Sequence, residues 1–202
     1  MRLAAATEAH ARSIAEVYRQ AFPESVQLFF PRKRPERLLR LLELSFALVF
    51  AAGAQGIVAL DESGDLSGYC LYDSAEGQAR PDVSKAFLLL AQMGLMVGPC
   101  ELLRLLANEF LMLTTARRDK KVPRPQATIV SVAVLPACQG KGVGTLLLSQ
   151  VLDLLKGQSV GLNVREDNTA ARRLYASAGF VECGSRRDLS GRWLILRRPP
   201  VS

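Results

Sequence analysis

Residues Val132 to Thr145 read V-A-V-L-P-A-C-Q-G-K-G-V-G-T, and this stretch decides how the chain folds and what it can hold. A β-branched apolar run stops at Pro136. Glycines at alternate positions, Gly140, Gly142 and Gly144, then open a leucine-rich segment of helical spacing. A strand that runs through glycines into a helix collects free backbone N–H groups and the positive end of a helix dipole at one point. Such a point suits an anion, most naturally a phosphate or pyrophosphate.

The glycine spacing separates the candidate loops. A P-loop needs Gly-Lys-Ser/Thr, but Lys141 is followed by Gly142, so no hydroxyl is placed for magnesium. A dinucleotide loop needs G-x-G-x-x-G, and its third glycine would fall on Thr145 or Leu147. What remains is Q-x-x-G-x-G, written Gln139-Gly140-Lys141-Gly142-Val143-Gly144. A second motif follows at a short distance. Ser159 to Val164 has the composition of a strand, and Asn168 to Phe180 reads N-x-x-A-x-x-x-Y-x-x-x-G-F. Asp167 or Asn168 can cap this helix, Ala171, Leu174, Tyr175 and Ala178 form its apolar stripe, and Gly179 ends it.

These two motifs, over roughly residues 128–182, resemble the acyl-CoA-binding signatures of the GNAT superfamily of N-acetyltransferases. The resemblance implies an α/β (α+β) fold with a mixed, mostly antiparallel central sheet of about six to seven strands flanked by helices. It implies acetyl-CoA as co-substrate and no metal. It assigns coenzyme contacts to Val132, Ala133, Val134, Gln139, Gly140, Lys141, Gly142, Val143, Gly144, Thr145, Asn168 and Tyr175. Backbone at Val132 to Val134 would bond the pantetheine arm as an added strand does, and an N–H there would polarise the thioester carbonyl. Tyr175 would protonate the leaving thiolate, a role suited to a phenol whose pKa is near that of a thiol. Each position also has a purely structural reading: core strand for Val132 and Val134, apolar helix face for Tyr175, helix cap for Asn168.

The general base has no such candidate. Ribosomal-protein N-acetyltransferases carry Leu-Glu-Val in the strand before the second motif, where this chain has Leu162-Asn163-Val164. Glu166, Asp167, Glu182 and His10 remain, all with surface character. A base acting through water, or an amine that arrives neutral, serves equally well.

Composition fits one domain over 1–202: 202 residues, 49% hydrophobic, with a formal charge of +7. The positive charge suits a polyanionic ligand such as coenzyme A. It lies in short clusters, among them Arg32-Lys33-Arg34, Arg117-Arg118 with Lys120-Lys121, Arg172-Arg173, Arg186-Arg187 and Arg197-Arg198. No aromatic ladder interleaves them, so no nucleic-acid partner is expected. Arg172 or Arg173 is the expected phosphate neighbour. The four cysteines, Cys70, Cys100, Cys138 and Cys183, form no C-x-x-C pair, and with one histidine a zinc site is not expected. Without a signal segment at its start, the chain reads as cytoplasmic, with free thiols and no transmembrane segment.

The periodicity predicts a first strand over 2–7, helices over 8–22 and 36–52 joined by a loop, and strands over 55–60 and 66–73. Beyond the central strand, 128–135, it predicts a helix over 143–156 and closing strands over 180–184 and 193–197. Residues 74–124 read as a helical insertion before the central strand, broken at Gly98-Pro99 and packed on the domain as a hairpin. The expected activity is acetyl transfer from acetyl-CoA to a primary amine of a small molecule, an amino sugar or a protein, by a monomer or homodimer. The alternative is a CoA-binding sensor or interaction module without catalysis.

Overall fold

The computed structural model describes residues 1–74, 81–118 and 122–201. Strands are β1 (Arg2–Ala5), β2 (Gln55–Leu60), β3 (Leu66–Ser74), β4 (Arg117–Arg118), β5 (Ala127–Val134), β6 (Val160–Arg165), β7 (Val181–Asp188) and β8 (Gly191–Arg198). Helices are α1 (Ala11–Ala21), α2 (Pro23–Phe29), α3 (Pro35–Ala51), α4 (Val83–Gly94), α5 (Pro99–Thr114), α6 (Val143–Leu154) and α7 (Thr169–Ser177). The strands form one sheet in the order β1-β2-β3-β5-β6-β8-β7-β4. Every neighbouring pair is antiparallel except β5 and β6. The strand beyond the expected six to seven is β4, two residues added at the β7 edge.

Alternation along the central strands divides the core in two. Tyr69 and Leu71 of β3 enter a cluster with Ile14, Val17, Leu42 and Phe46 of α1 and α3. Cys70 and Tyr72 point the other way, into a cluster with Leu147, Leu148 and Val151 of α6 and Tyr175 of α7. Because β3 is covered on both faces, it reads as a near-continuous apolar run. Complete burial of a leucine or valine contributes about 1.5–3 kcal/mol, so Leu147, Leu148 and Val151 alone fix α6 to the sheet.

Three elements differ from the pattern-based expectation. The loop expected after Phe22 contains α2, because Pro23 occupies the first helical position and starts a helix there. β7 runs on to Asp188, held by a ladder to β8 in which Arg186 faces Trp193. The insertion forms α4 and α5, each resting on a different part of the domain. α4 lies along α3 and α5 along β7, and Leu89 is the one buried apolar side chain of the pair. Phe87, Leu90, Leu103, Leu106, Phe110 and Leu113 face outward. The turn between the helices is anchored by Lys33, whose ammonium donates to the Met96 carbonyl at 2.6 Å and pairs with Glu101 at 2.8 Å. Lys120 and Lys121 lie outside the described residues.

Candidate functional site

β5 and β6 part after two register pairs, Ala127 with Val160 and Thr128 with Gly161. Beyond them β5 stays on β3 as far as Val134, and β6 stays on β8 as far as Arg165. A bulge turns β5 where they part: Leu71 faces Ser131 but Tyr72 faces Ile129, which leaves Val130 without a counterpart. The β5 edge from Ile129 to Val134 therefore borders a gap and offers unpaired backbone groups to it.

This gap is a cleft of about 550 Å³. Val132, Ala133 and Val134 form one wall, Gln139, Gly140 and the Gly142–Thr145 turn one end, and Asn168 and Tyr175 the opposite wall. Of the positions expected to meet the coenzyme, only Lys141 is not on the lining; its side chain is exposed. The cleft also takes in Ala21, Phe22, Cys138, Ala170, Ala171 and Leu174. Phe22 reads in sequence as one more apolar residue of the helix expected over 8–22, and no local signal separates lining from core there.

The glycine turn is built by backbone conformation. Gly140 and Gly142 have φ of 74° and 80°, and a Cβ on either would touch nothing within 4 Å. The left-handed conformation is what excludes other residues. Gly142 is the N-cap of α6, and its carbonyl accepts from Leu146 at 3.0 Å. The first-turn N–H groups of Val143, Gly144 and Thr145 have no intrahelical acceptor and point out of the helix end into the cleft. Gln139 donates its side-chain amide to the Val134 carbonyl at 3.1 Å, tying the turn to the end of β5.

On the opposite wall Asn168 caps α7, its side-chain oxygen accepting from the Ala171 N–H at 2.9 Å. That leaves its amide NH₂ available to the cleft. Tyr175 is 7% exposed and packs edge-on against Phe180, ring centroids 5.8 Å apart. Its hydroxyl makes no hydrogen bond among the described residues. Burial pushes the phenol's pKa above its ordinary value, with the buried Cys70 adding to the rise. Burial likewise pushes the Cys70 thiol up to about 12, which keeps it inert.

Several charged residues lie elsewhere than their sequence positions suggest. Arg172 and Arg173 do not border the cleft; they line a separate depression beside Glu182. Arg172 donates to the Glu166 carbonyl at 3.0 Å. Glu166 pairs with Arg192 at 2.9 Å and Asp167 with Arg165 at 2.7 Å. His10 is bonded to Thr7. Among the described residues, no carboxylate or imidazole lines the cleft.

Residues 12–180 match the model of the Acetyltransferase (GNAT) family. The N-alpha-acetyltransferase RimI of Mycobacterium tuberculosis is 43% identical over 67 residues, which make up 33% of this chain and 42% of that enzyme. The [Ribosomal protein bS18]-alanine N-acetyltransferase of Haemophilus influenzae is 42% identical over 66 residues, 31% of this chain and 44% of that enzyme. Each match spans less than half the relative's length. The crystal structure of histone acetyltransferase HPA2 and related acetyltransferase from Corynebacterium glutamicum has the same fold, with a TM-score of 0.65 at 22% identity over 99% of this chain and 96% of that one. That of a phosphinothricin acetyltransferase from Sinorhizobium meliloti in complex with acetyl-CoA gives 0.58 at 19% identity, over 98% and 88%. Divided strands, a glycine-built helix start and a family match over most of the length agree, and the chain belongs to the GNAT family of acetyltransferases.

Proposed function

We propose that the chain transfers the acetyl group of acetyl-CoA directly to a primary amine. The observation that carries this reading is the cleft at the β5–β6 divergence, with a helix N-terminus at one end and Tyr175 in its wall. In this reading the amides of the Gly140–Thr145 turn hold the pyrophosphate. The free edge of β5 at Val132 to Val134 bonds the pantetheine arm and directs an N–H to the thioester oxygen. As the amine nitrogen bonds to the acyl carbon and the C–S bond breaks, the Tyr175 hydroxyl gives its proton to the sulfur. The proton shed by the new amide passes to water, and the phenol is restored from solvent. No carboxylate among the described residues of the cleft takes that proton, and in this reading the amine arrives neutral or loses its proton through water.

The acceptor is a small molecule, an amino sugar or a protein amine. The ribosomal-protein acetyltransferases among the relatives favour a protein or peptide, but the shared segment is about a third of the chain. The cytoplasm suits a coenzyme-dependent enzyme with four free cysteines, and no described helix is long and apolar enough to cross a membrane. The absence of a carboxylate or imidazole from the cleft lining among the described residues favours one second reading, a CoA-binding module without turnover.

Calorimetric titration with acetyl-CoA, followed by thiol release with a panel of amines, tests both. Micromolar binding with release supports the enzyme, binding without release the module, and no binding sinks both. The pH profile is a sharper check. Tyr175 acts while protonated, and its pKa lies above the ordinary 10.0. The acid therefore stays loaded throughout the neutral and mildly alkaline range. kcat/KM should rise with pH as the acceptor amine deprotonates and show no descending limb before pH 10. A fall centred well below that removes Tyr175 from the role.

A further inference from the structure

On the sheet face opposite α6 and α7, a second cavity of about 400 Å³ opens where β5 and β6 are still paired. Three guanidinium groups line it: Arg124 before β5, Arg186 on β7 and Arg197 on β8. Thr128 and Asn163 add a hydroxyl and an amide, and among the described residues no carboxylate is on the lining. None of the three arginines forms an ion pair among the described residues, whereas nearby Arg165 and Arg192 are each paired with a carboxylate. Among the described residues, the Nε atoms of Arg186 and Arg197 are buried without a hydrogen-bond partner, as is the indole N–H of Trp193, which faces Arg186 across the β7–β8 ladder.

Unpartnered buried donors on charged groups are costly, and three like charges around one cavity repel each other. A Cβ on Gly161 would approach Pro125 to 2.7 Å, so only glycine lets the proline lie on the sheet at the cavity's edge. Burial lowers the pKa of Arg186, and the charges of Glu109 and Asp188 oppose that. A bound oxyanion would neutralise the cluster, and planar guanidinium forks match carboxylate and phosphate oxygens.

We propose that this cavity binds a carboxylate or phosphate group, as a second anion site separate from the glycine turn. We infer that the group is carried by the acceptor. Thr128 and Asn163 lie on the two strands that diverge to form the cleft, and Val132 is roughly 13 Å from Thr128 along β5 at the rise of a strand. An acceptor with its acidic group held here and its amine at the cleft would span about four residues of extended peptide. The assignment to the acceptor rests on the acetyl-transfer reading; the anion site itself does not.

Trp193 is the only tryptophan and stands across the β7–β8 ladder from Arg186, so its indole resonance and fluorescence report beside this cavity. Inorganic phosphate is titrated at constant ionic strength into protein saturated with CoA, which occupies the glycine turn. The expected result is a saturable shift of the indole signal, with affinity weakened about tenfold or more in Arg186→Gln/Arg197→Gln. Arg124→Gln, at an exposed side chain, should weaken it several-fold and guards against misfolding of the double variant. No saturable shift, or the same shift in all variants, overturns the site.

The C-terminally amidated peptides Ala-Ala-Ala-Asp-NH₂ and Ala-Ala-Ala-Asn-NH₂ then compete with phosphate. Displacement about tenfold better by the acidic peptide assigns the group to the acceptor, and equal potency overturns that assignment in favour of a free anion. Titration of acetyl-CoA into the unliganded protein is read separately. Failure there with the phosphate response intact removes the acetyl-transfer reading and leaves the anion site; the converse removes the anion site alone.

Discussion

Tyr175→Phe is expected to lower kcat by about two to four orders of magnitude while leaving the dissociation constant of acetyl-CoA unchanged. The substitution deletes one oxygen and keeps the ring. The edge-on contact with Phe180 and the packing beneath α7 survive, so the fold should not suffer. Stability should hold, because the hydroxyl makes no hydrogen bond among the described residues. Packing and proton donation, both compatible with a tyrosine on the inward face of a helix, thus make opposite forecasts. An acid predicts a large fall in turnover at constant stability. A merely structural phenol predicts turnover unchanged. Single-turnover rates of thiol release, measured beside thermal unfolding of the same preparation, decide between them.

Gly142→Glu is expected to abolish detectable acetyl-CoA binding, a loss of at least about a hundredfold in affinity. Two effects combine. At φ of 80° any L-residue bears a backbone penalty of about 1–2 kcal/mol, and the helix start shifts to relieve it. The new carboxylate then stands where the pyrophosphate should lie and repels it. A chain of this size loses about 2–4 °C in Tm per kcal/mol, so the variant should melt roughly 2–8 °C lower yet remain folded at room temperature. Gly144→Ala is the comparison that isolates conformation. Its backbone is ordinary, and a Cβ would sit 3.5 Å from Leu174 Cδ2, a normal contact. Unfolding of that variant should match the native chain. If Gly142→Glu still binds acetyl-CoA with native affinity, the turn is not the pyrophosphate site.

Both predictions concern residues that were legible in the sequence, and the reason is local. Gly142 is followed directly by the helix it starts, and Asn168, Tyr175 and Gly179 lie on one helix whose period can be counted. The apolar stripe of that helix also held information about its neighbours. With Ala171, Leu174 and Tyr175 turned inward, Arg172 and Arg173 project away from the core, and the structure places them in another depression. Reading them as phosphate neighbours weighed charge and neglected direction. Pro23 was ambiguous in a different way, since a proline after a helix either stops it or begins the next, and here it begins α2. The divergence of β5 from β6 had no local signature. It depends on which strands pair and for how far, and strands 127–134 and 160–165 are separated by a whole helix. The arginine cavity was invisible for the same reason: Arg124, Arg186 and Arg197 meet only because β7 and β8 return beside β6.

The gap between β5 and β6 can also be viewed as a missing strand. In most sheets an interior strand is saturated on both sides, and an open edge invites pairing with another chain. Here the open edge lies inside the sheet, where a second polypeptide has little room and a slender amide-bearing chain has enough. In the proposed complex the pantetheine arm completes the hydrogen bonding of the sheet. Each catalytic cycle would then add and remove one non-peptide strand, and the enzyme would be most resistant to unfolding while loaded with its coenzyme.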